Sequence, residues 1–576
     1  MKQTMKKIIT FLFIGIWLTL SGCVDSLNIS PDGRMTMADV WIDPIKTEAY
    51  LGRAYNWIPS YFNTYGFFEL LAGASDEAIY RNRSRATSSW STGYLNPSAN
   101  GLNNFYARYW NGIRDCNIFI ENVDNSAIES SAKKERLKSE AKILRAFYYF
   151  ELIKQYGPMP IIFEELPPDF NFTELKRPTF QENTDFIIKD LDEAIIAPTL
   201  PMRLVDENDR KRMSKAVAYA LKSEVLLYNA SPLWNPENNQ EKWNSAAVAS
   251  KEAFTVLTEN GYALFPDYEQ YYLFTSDLRE NPNDRQTIYE TYKDESYNFH
   301  LLIQNNIPSK IGANSSGACP TQELVDSYNM LSTGEIPIVG YEDENHLTPI
   351  LNPVAGYNPN SPYEDRDPRF YASIWFNGAK YNHINGVIHT VETYVDGKDG
   401  IKSIEIDEES PTVTGYYLRK FIDPKIQMGQ KTSSSWKKYH LAKILLNFAE
   451  AENESNGATT DAYYAVNQLR RRVGMPNLPS NLSKDEFRVR VRNERRVELA
   501  FEEDRFWDVR RWKILSSTDK IITGMEIHKN NDNTFQYKRI LIEKRNAWHD
   551  KFWIYPIPLG ETSKIPDFNE NQNPGW

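Results

Sequence analysis

Cysteine and histidine are scarce in this chain, which has 3 cysteines and 7 histidines among 576 residues. So few cysteines argue against a disulfide-dense scaffold, and the scattered histidines give no metal-ligand spacing. An oxidising compartment would allow Cys116 and Cys319 to pair, but their spacing does not show that they do. Cys116 shares a helical face with Ile113 and Ile120, which favours a buried free thiol. We predict no metal site and no cofactor.

Long apolar runs are also missing beyond the N-terminus, where no stretch approaches the roughly 18 residues of a membrane span. The N-terminal run, Ile8 to Leu20, has 13 residues and follows three lysines. It ends at Ser21-Gly22-Cys23, and small residues before a cysteine are typical of a bacterial lipoprotein signal. We predict that residues 1–22 are a signal peptide and that Cys23 is acylated, which anchors the chain stably to a membrane. The alternative is an ordinary signal peptide with an incidental cysteine.

An excess of positive charge is absent, since the net charge is −11 and the pI is near 5.4. This balance argues against a nucleic-acid partner. The stretch Arg488 to Trp512 is rich in arginine, but the acids between Glu486 and Asp508 bring its net charge close to zero. Opposite charges lie at helical contact spacing in the pairs Glu486–Arg490, Arg495–Glu498 and Asp508–Arg511. We therefore predict a neutralised structural helix rather than a phosphate-binding arm.

Helical patterning dominates the first half of the chain and recurs near its end. Residues 133–156 place Leu137, Ala141 and Leu144 on one face, and Gly157-Pro158 predicts the end of that helix. Further amphipathic helices are predicted over residues 215–230, 241–257, 436–455 and 460–473. They form helical hairpins of roughly tetratricopeptide size, with alanines where neighbouring helices must approach closely.

The stretch from about residue 260 to 435 has a different composition, which is rich in Pro, Gly, Asn and Tyr. We interpret it as loops and short strands attached to a helical scaffold over 38–260 and 436–515, with a C-terminal tail over 516–576. Long irregular segments that are not of low complexity are often functional. This insert is where we expect a ligand.

Several short motifs, in a fixed order, resemble one known family. They include Glu140-Ala141-Lys142, Tyr156-Gly157-Pro158-Met159-Pro160, Pro320 to Asp326, Asp367-Pro368-Arg369, Leu441 to Glu452, the run Glu494 to Trp512, Tyr555-Pro556-Ile557-Pro558 and Gln572 to Trp576. Any one of them is weak, but together they cover essentially the whole mature chain and resemble the SusD/RagB-like family of nutrient-binding lipoproteins of Bacteroidetes.

The resemblance implies a mainly α fold, in which a solenoid of tetratricopeptide-like hairpins carries an irregular, loop-rich half with a few short strands. It implies one unit over residues 23–576, on the outer membrane and facing the extracellular side. The implied role is capture of a nutrient, most naturally an oligosaccharide, and its delivery to a SusC-like TonB-dependent transporter as a hinged lid. Val24 and a single Asp25 follow the cysteine, so surface export depends mainly on the resemblance.

A glycan site needs aromatic platforms for the apolar faces of sugar rings, with carboxylates, amides and arginine at the rim. The chain has 14 Trp and 34 Tyr, enough to supply such a surface beyond the core. The candidate binding residues are Asp76, Tyr80, Arg81, Trp90, Tyr94, Cys319 and Tyr416. For any single aromatic, a place in the core is the commoner outcome.

No catalytic constellation stands out, because paired carboxylates can be drawn almost anywhere among 77 Asp and Glu residues. Glu450 and Glu454 share a helical face, but the resemblance places this motif in the scaffold, which favours a structural role. We therefore predict a binding protein without enzymatic activity. Two alternatives remain open at this stage: a lipid-anchored glycoside hydrolase, and a repeat scaffold that binds only protein.

Overall fold

The computed structural model describes residues 36–61, 69–82, 86–98, 105–204, 206, 209, 211–273, 281, 283–292, 317–382, 387–402, 411–422 and 435–576. The predicted lipidation site, Cys23, lies outside these ranges. Helices dominate and strands are short, so the prediction of a mainly α fold is confirmed. Within the described ranges, no helix has the length and apolar character needed to cross a membrane.

The helices that build most of the molecule lie before residue 260 and after residue 440. Those of the first part are α1 Met37–Trp41, α2 Pro44–Tyr55, α3 Ala86–Ser91, α4 Phe105–Asn122, α5 Ser131–Tyr156, α6 Phe180–Ile196, α7 Lys215–Ala230 and α8 Gln240–Glu259. The short helices that follow are α9 Tyr268–Tyr271, α10 Gln322–Ser327 and α11 Pro368–Ser373. The last are α12 Leu441–Asn456, α13 Thr460–Arg472, α14 Lys484–Glu498, α15 Asp504–Arg511, α16 Leu515–Thr518, α17 Leu559–Thr562 and α18 Pro566–Glu570.

The long helices form one stack in which neighbours in the chain pack side by side. Each helix from α4 to α8 packs against the next. α8 then packs against α12, which contacts α13 and α14, so the stack continues across the insert. Ala246, Ala247 and Ala451 are buried at the α8–α12 contact, where small side chains let the two helices approach.

Local sequence signals fix several helix ends. Gly157 ends α5 with a φ of 73°, a left-handed conformation that glycine adopts without a Cβ penalty. A capping box of Ser483 and Glu486 begins α14. The predicted helices over 133–156, 215–230, 241–257 and 460–473 are confirmed to within a few residues.

The strands form antiparallel pairs throughout the described residues. The paired strands are β1 Ala78–Tyr80 with β3 Ala318–Pro320, β2 Thr287–Tyr292 with β10 Ser435–His440, β4 Ile338–Tyr341 with β5 Pro349–Leu351, β6 Ile374–Trp375 with β9 Tyr417–Leu418, β7 Lys380–Asn382 with β8 Ile388–Thr390, and β11 Ile521–Lys529 with β12 Phe535–Lys544. Most lie in the predicted insert and form small ribbons around a second hydrophobic core.

The prediction of a helix beginning at Trp436 is wrong for its first five residues. Residues 435–440 form β10, which pairs with β2 in a bulged register, and α12 begins only at Leu441. Trp436 packs against Tyr61 and Phe421, with ring centroids 5.7 and 5.5 Å apart. A partner strand more than a hundred residues away therefore overrides the local helical pattern.

The arginine-rich stretch is a neutralised structural element, as predicted. It forms α14 and α15, and the predicted contact of Asp508 with Arg511 is present at 2.8 Å. The other predicted pairs give way to longer-range partners, because Arg490 reaches Glu335 at 2.5 Å and Arg495 reaches Asp508 at 3.1 Å.

Glu450 and Glu454 belong to this same ionic framework. Glu450 accepts hydrogen bonds from Arg511 and from the indole N–H of Trp512 at 2.5 to 2.7 Å. Glu454 pairs with Arg488. Both carboxylates therefore hold helices together, which supports their structural interpretation over a catalytic one.

Candidate functional site

Three of the predicted ligand-binding residues lie close together beneath the surface. β1 and β3 pair with Ile79 opposite Cys319 and Tyr80 opposite Ala318. The Tyr80 hydroxyl accepts a hydrogen bond from the N–H of Leu70 at 2.6 Å. Asp76 accepts two hydrogen bonds from Arg505 at 2.8 Å and contacts Arg496 at 2.8 Å.

Electrostatics at this cluster are set by burial and by the arginines of α14 and α15. Burial alone would raise the pKa of Asp76, but the guanidinium groups of Arg496 and Arg505 lower it to about 2. Burial raises the pKa of the neighbouring Glu77 to about 8, although the N–H of Phe501 donates to its carboxylate at 3.1 Å. Asp76 is thus a buried anion, whereas Glu77 is protonated at neutral pH.

Trp90 and Tyr416 are also fully buried. The Trp90 ring lies 4.7 Å from the Tyr555 ring and 5.3 Å from the Phe506 ring, and the Arg510 guanidinium carbon lies 4.8 Å from its centroid. The Tyr416 hydroxyl donates to Gln322 at 2.6 Å. Both aromatics therefore pack inside the protein.

Tyr94 is the exposed aromatic of the predicted set, with 77 % of its surface accessible, and Arg81 is half-buried at the end of β1. A ligand in solvent can reach Tyr94 directly, whereas Asp76, Tyr80 and Trp90 are buried. The ligand-binding role of the seven residues stays a prediction. The Cys116 thiol is free and buried, as expected, and Cys319 is buried and forms no disulfide with it.

A cleft of about 570 Å³ lies between α4, the segment after α5 and the C-terminal helices. Its volume is in the range of small-molecule sites. α4 contributes Tyr106, Trp110, Arg114 and Asn117, and the other walls contribute Pro160, Ile162, Glu164, Leu166, Pro167, Pro168, Phe172, Leu175, Glu561, Lys564, Ile565 and Phe568. Hereafter we call this site the α4 cleft.

The α4 cleft combines flat apolar rings with a polar rim. Trp110 is half-buried and is braced edge-on by Tyr149 at 6.0 Å and Tyr106 at 6.2 Å. Phe172 stands at the mouth and is largely exposed. Arg114 and Glu165 form an exposed ion pair at 3.4 Å, and Lys564 pairs with Glu561 at 2.9 Å. Rings, a guanidinium group, an amide and carboxylates are therefore all within one site.

The wall opposite α4 is held by buried hydrogen bonds. Asn117 donates to the carbonyls of Ile162 and Glu164 at 3.0 and 3.2 Å, and accepts from Arg145 at 2.9 Å. Arg145 in turn makes a bidentate pair with Asp190 at 2.7 and 2.8 Å. Because Asn117, Arg145 and Asp190 are all buried and paired with one another, the cleft is formed before any ligand arrives.

The third wall comes from the C-terminus, which is fastened by Arg177. Its backbone N–H donates to Asp567 at 2.8 Å, and its guanidinium donates to the Tyr156 carbonyl at 3.1 Å and to Asn573 at 2.9 Å. Burial raises the pKa of Tyr106, and the charge of Glu561 adds to this effect. Tyr106 therefore enters the cleft as a neutral phenol.

The cleft residues were not among the sequence predictions. Trp110 and Tyr106 follow the helical period of α4 and read as core residues. The segment Leu166 to Phe172 has the composition expected of a binding loop. It is irregular, contains Pro167-Pro168 and has two phenylalanines, like the predicted binding segment around Trp90. Its proximity to residues 561–568 in the fold cannot be read from the sequence.

The chain matches two family models. The model of the SusD family covers residues 278–576, and a model described as starch-binding associating with outer membrane covers residues 25–227. Among curated proteins, SusD-like protein P38 of Formosa agariphila is 23 % identical over 531 residues, covering 88 % of this chain and 92 % of that protein.

Solved structures agree with this match. A SusD-like protein from Bacteroides fragilis has a TM-score of 0.76 at 28 % identity, covering 94 % of this chain and 99 % of that one. A laminarin-binding SusD-like protein has a TM-score of 0.62 at 21 % identity, covering 93 % and 100 %. The resemblance seen in the sequence is confirmed, and the chain belongs to the SusD family.

Proposed function

We propose that this protein is a cell-surface lipoprotein that binds an oligosaccharide and delivers it to a TonB-dependent outer-membrane transporter. Membership of a carbohydrate-binding family associated with the outer membrane supports the ligand class and the location. The laminarin-binding relative is a further reason to choose an oligosaccharide.

The observation that carries the proposal is the α4 cleft. A sugar ring offers C–H faces that stack on aromatic rings and hydroxyl edges that bond to polar side chains. Trp110 and Phe172 supply rings, while Arg114, Asn111 and Glu164 supply donors and acceptors at the border. Most of the lining is apolar, as expected of a pre-formed small-molecule site.

The cleft supports binding rather than hydrolysis. Glycoside hydrolysis needs two carboxyl groups across the scissile bond, one of them kept protonated by apolar or charge-crowded surroundings. The carboxylates that line the cleft are Glu164, which is exposed, and Glu561, which pairs with Lys564. Neither lies in surroundings suited to a general acid, so we propose that the protein is not an enzyme.

Tyr94 extends the proposed binding surface beyond the cleft. The Leu559 N–H donates to the Pro97 carbonyl at 3.0 Å, which joins the segment around Tyr94 to the C-terminal wall. We assign Tyr94 the role of a second aromatic platform, beside the half-buried Arg81. Asp76, Tyr80, Trp90, Cys319 and Tyr416 are buried and belong to the protein interior.

The test is affinity electrophoresis and calorimetry of the purified chain against a panel of oligosaccharides and polysaccharides. Phe172→Ala and Trp110→Ala should each weaken binding by about fivefold, because a lost ring contact is worth about 1 kcal/mol. Tyr94→Ala should weaken binding of longer chains more than of short ones. The matched control is Tyr464→Ala, an exposed tyrosine of α13, which should bind like the wild type.

Two outcomes would overturn the proposal. Release of shorter sugars during incubation would show a hydrolase. Absence of binding to every glycan, together with retention of a protein partner, would favour a protein-only scaffold. Phe172→Ala separates a loss of binding from a loss of folding, because Phe172 is exposed, whereas Trp110 packs against Tyr106 and Tyr149.

Delivery requires a partner, which we propose to be a SusC-like transporter encoded beside this gene. Co-purification from membranes should yield a complex with a large barrel protein, and the bound fraction should respond to glycan if this chain works as a hinged lid. A protein that purifies alone from gently solubilised membranes would argue against delivery while leaving the glycan-binding proposal untouched.

A further inference from the structure

Large apolar side chains project into solvent at the beginning of the described chain. Ile45 is 81 % exposed, Ile42 is 73 % exposed and Met37 is 45 % exposed. Ala38, Pro44 and Ala49 are exposed beside them. We call this set the α1–α2 patch.

The α1–α2 patch is held rigidly by the opposite faces of its helices. Trp41 packs on Tyr50 and Phe119, with centroids 5.4 and 6.2 Å apart, and its carbonyl accepts the Ala127 N–H at 2.7 Å. Val40 and Thr47 are buried beneath it. The exposed isoleucines therefore lie on a fixed surface and cannot turn inward.

The two cations on this face are each paired with an acid, Lys46 with Asp43 at 3.8 Å and Arg53 with Asp115 at 3.0 Å. The exposed positions of α2 are Pro44, Ile45, Lys46, Ala49, Gly52 and Arg53, of which two are basic and none is acidic. The nearby Asp39 and Asp43 are half-buried and occupied in capping α1 and α2. A surface helix normally turns its polar side to water, whereas α2 turns apolar and basic residues outward.

Chain length places this face near a bilayer. Residues 24–35 separate Cys23 from Thr36. A segment of this length spans at most about 40 Å. A lipid on Cys23 therefore keeps the α1–α2 patch at high effective concentration next to the membrane.

We propose that the α1–α2 patch lies on the lipid surface of the membrane that carries the protein's own anchor, with Ile42 and Ile45 inserted at the interface. This inference depends on the acylation of Cys23 put forward under the proposed function. The contact would fix the orientation of the protein on the membrane, which a lipid on Cys23 alone does not set.

The test uses lipidated protein in vesicles of phosphatidylethanolamine and phosphatidylglycerol that contain doxyl-labelled lipid. Ile45→Cys is labelled with an environment-sensitive fluorophore, while Cys116 and Cys319 are buried and protected from labelling. Val248→Cys, at an exposed valine of α8, is the matched control. We expect a blue shift and several-fold stronger quenching at position 45 than at position 248, and equal signals would overturn the proposal.

A second measurement removes the apolar contact without a label. The double variant Ile42→Ser with Ile45→Ser, in a chain without acyl groups, should partition into the same vesicles about tenfold more weakly than the non-acylated parent. Equal partitioning of the two proteins would overturn the proposal. A fluorescence blue shift at position 45 that appears only when the transporter is present would overturn it as well. Mass spectrometry of Cys23 and glycan binding by the same samples report separately on the proposed function.

Discussion

Arg495, Arg505 and Arg511 of α14 and α15 are buried, and acids meet their charges: Asp508 for Arg495, Asp76 for Arg505 and Glu450 for Arg511. Arg369 reaches Glu494 and Glu498 at 2.6 and 3.0 Å, and Arg511 reaches Glu450. Buried ions are costly to leave unpaired, so each such contact fixes the position of two elements. At this scale the family's most recognisable residues are structural.

Asp76→Asn should destabilise the protein by about 3 kcal/mol, because it leaves the buried Arg505 and Arg496 without a counter-charge. Urea-induced unfolding at neutral pH measures the change. The matched control is Asp485→Asn, an acid that is 85 % exposed and pairs with Arg488, which should cost less than about 1 kcal/mol.

The effect of Asp76→Asn should depend on pH in a defined direction. The folded pKa of about 2 lies below the ordinary value of 3.8, so the carboxylate's stabilisation is complete above about pH 4 and is lost as the pH falls toward 2. The two proteins should therefore converge in stability at low pH. A constant difference from pH 7 down to pH 2 would contradict this assignment.

Glu77→Gln tests the opposite shift. The folded pKa of about 8 exceeds the ordinary value of 4.5, so folded wild-type protein holds a proton that the unfolded chain releases. Wild-type stability should fall by up to about 1.4 kcal/mol for each pH unit between 5 and 8, and Glu77→Gln should lack this decline. Parallel stability profiles over that range would show that Glu77 is ionised in the folded protein.

At the scale of elements, close approach between α4 and α5 depends on Gly112. A Cβ atom at this position would lie 2.5 to 2.9 Å from the Tyr148 ring, which is fully buried and donates to the Ala54 carbonyl at 2.5 Å. The ring cannot move away without breaking that bond. The contact therefore sets the spacing of this helix pair, and with it one wall of the α4 cleft.

Gly112→Ala should destabilise the protein by about 1 to 3 kcal/mol through overpacking, although alanine is the better helix former. Gly52→Ala is the control, since a Cβ on this exposed glycine of α2 meets nothing within 4 Å. Gly52→Ala should raise the free energy of unfolding by up to about 1 kcal/mol. Changes of the same sign in both variants would show that steric contact at Gly112 is unimportant.

The helices themselves were largely predictable, because capping residues, glycine stops and apolar periodicity act within a few residues. Ser483 with Glu486 and Gly157 are examples where the local signal and the structure agree. Residues 436–440 show the limit of such signals. Their helical pattern yields to pairing with residues 287–292, a partner that no local window contains.

At the scale of the whole molecule, the proposed lipid anchor at Cys23 and the proposed binding site in the α4 cleft lie in separate parts of the chain. Cys23→Ala should move the protein from the membrane fraction to the soluble fraction and abolish growth on the cognate glycan. The purified variant should still bind that glycan like the wild type, because the α4 cleft lies entirely within the folded body. Fractionation, growth curves and calorimetry check the three parts, and a Cys23→Ala protein held on membranes as firmly as the wild type in cells without the transporter would remove the lipid assignment.

The sequence by itself determined the helical class, most helix ends, the neutral character of the arginine-rich stretch and the family. Each depends on local spacing or on motifs in order. Only the tertiary structure decided that Trp90 and Tyr416 are buried while Tyr94 is exposed, and that Trp110, Phe172 and Glu561 meet in one cleft. Exposure and proximity are set by long-range packing, which brings segments hundreds of residues apart onto the same surface.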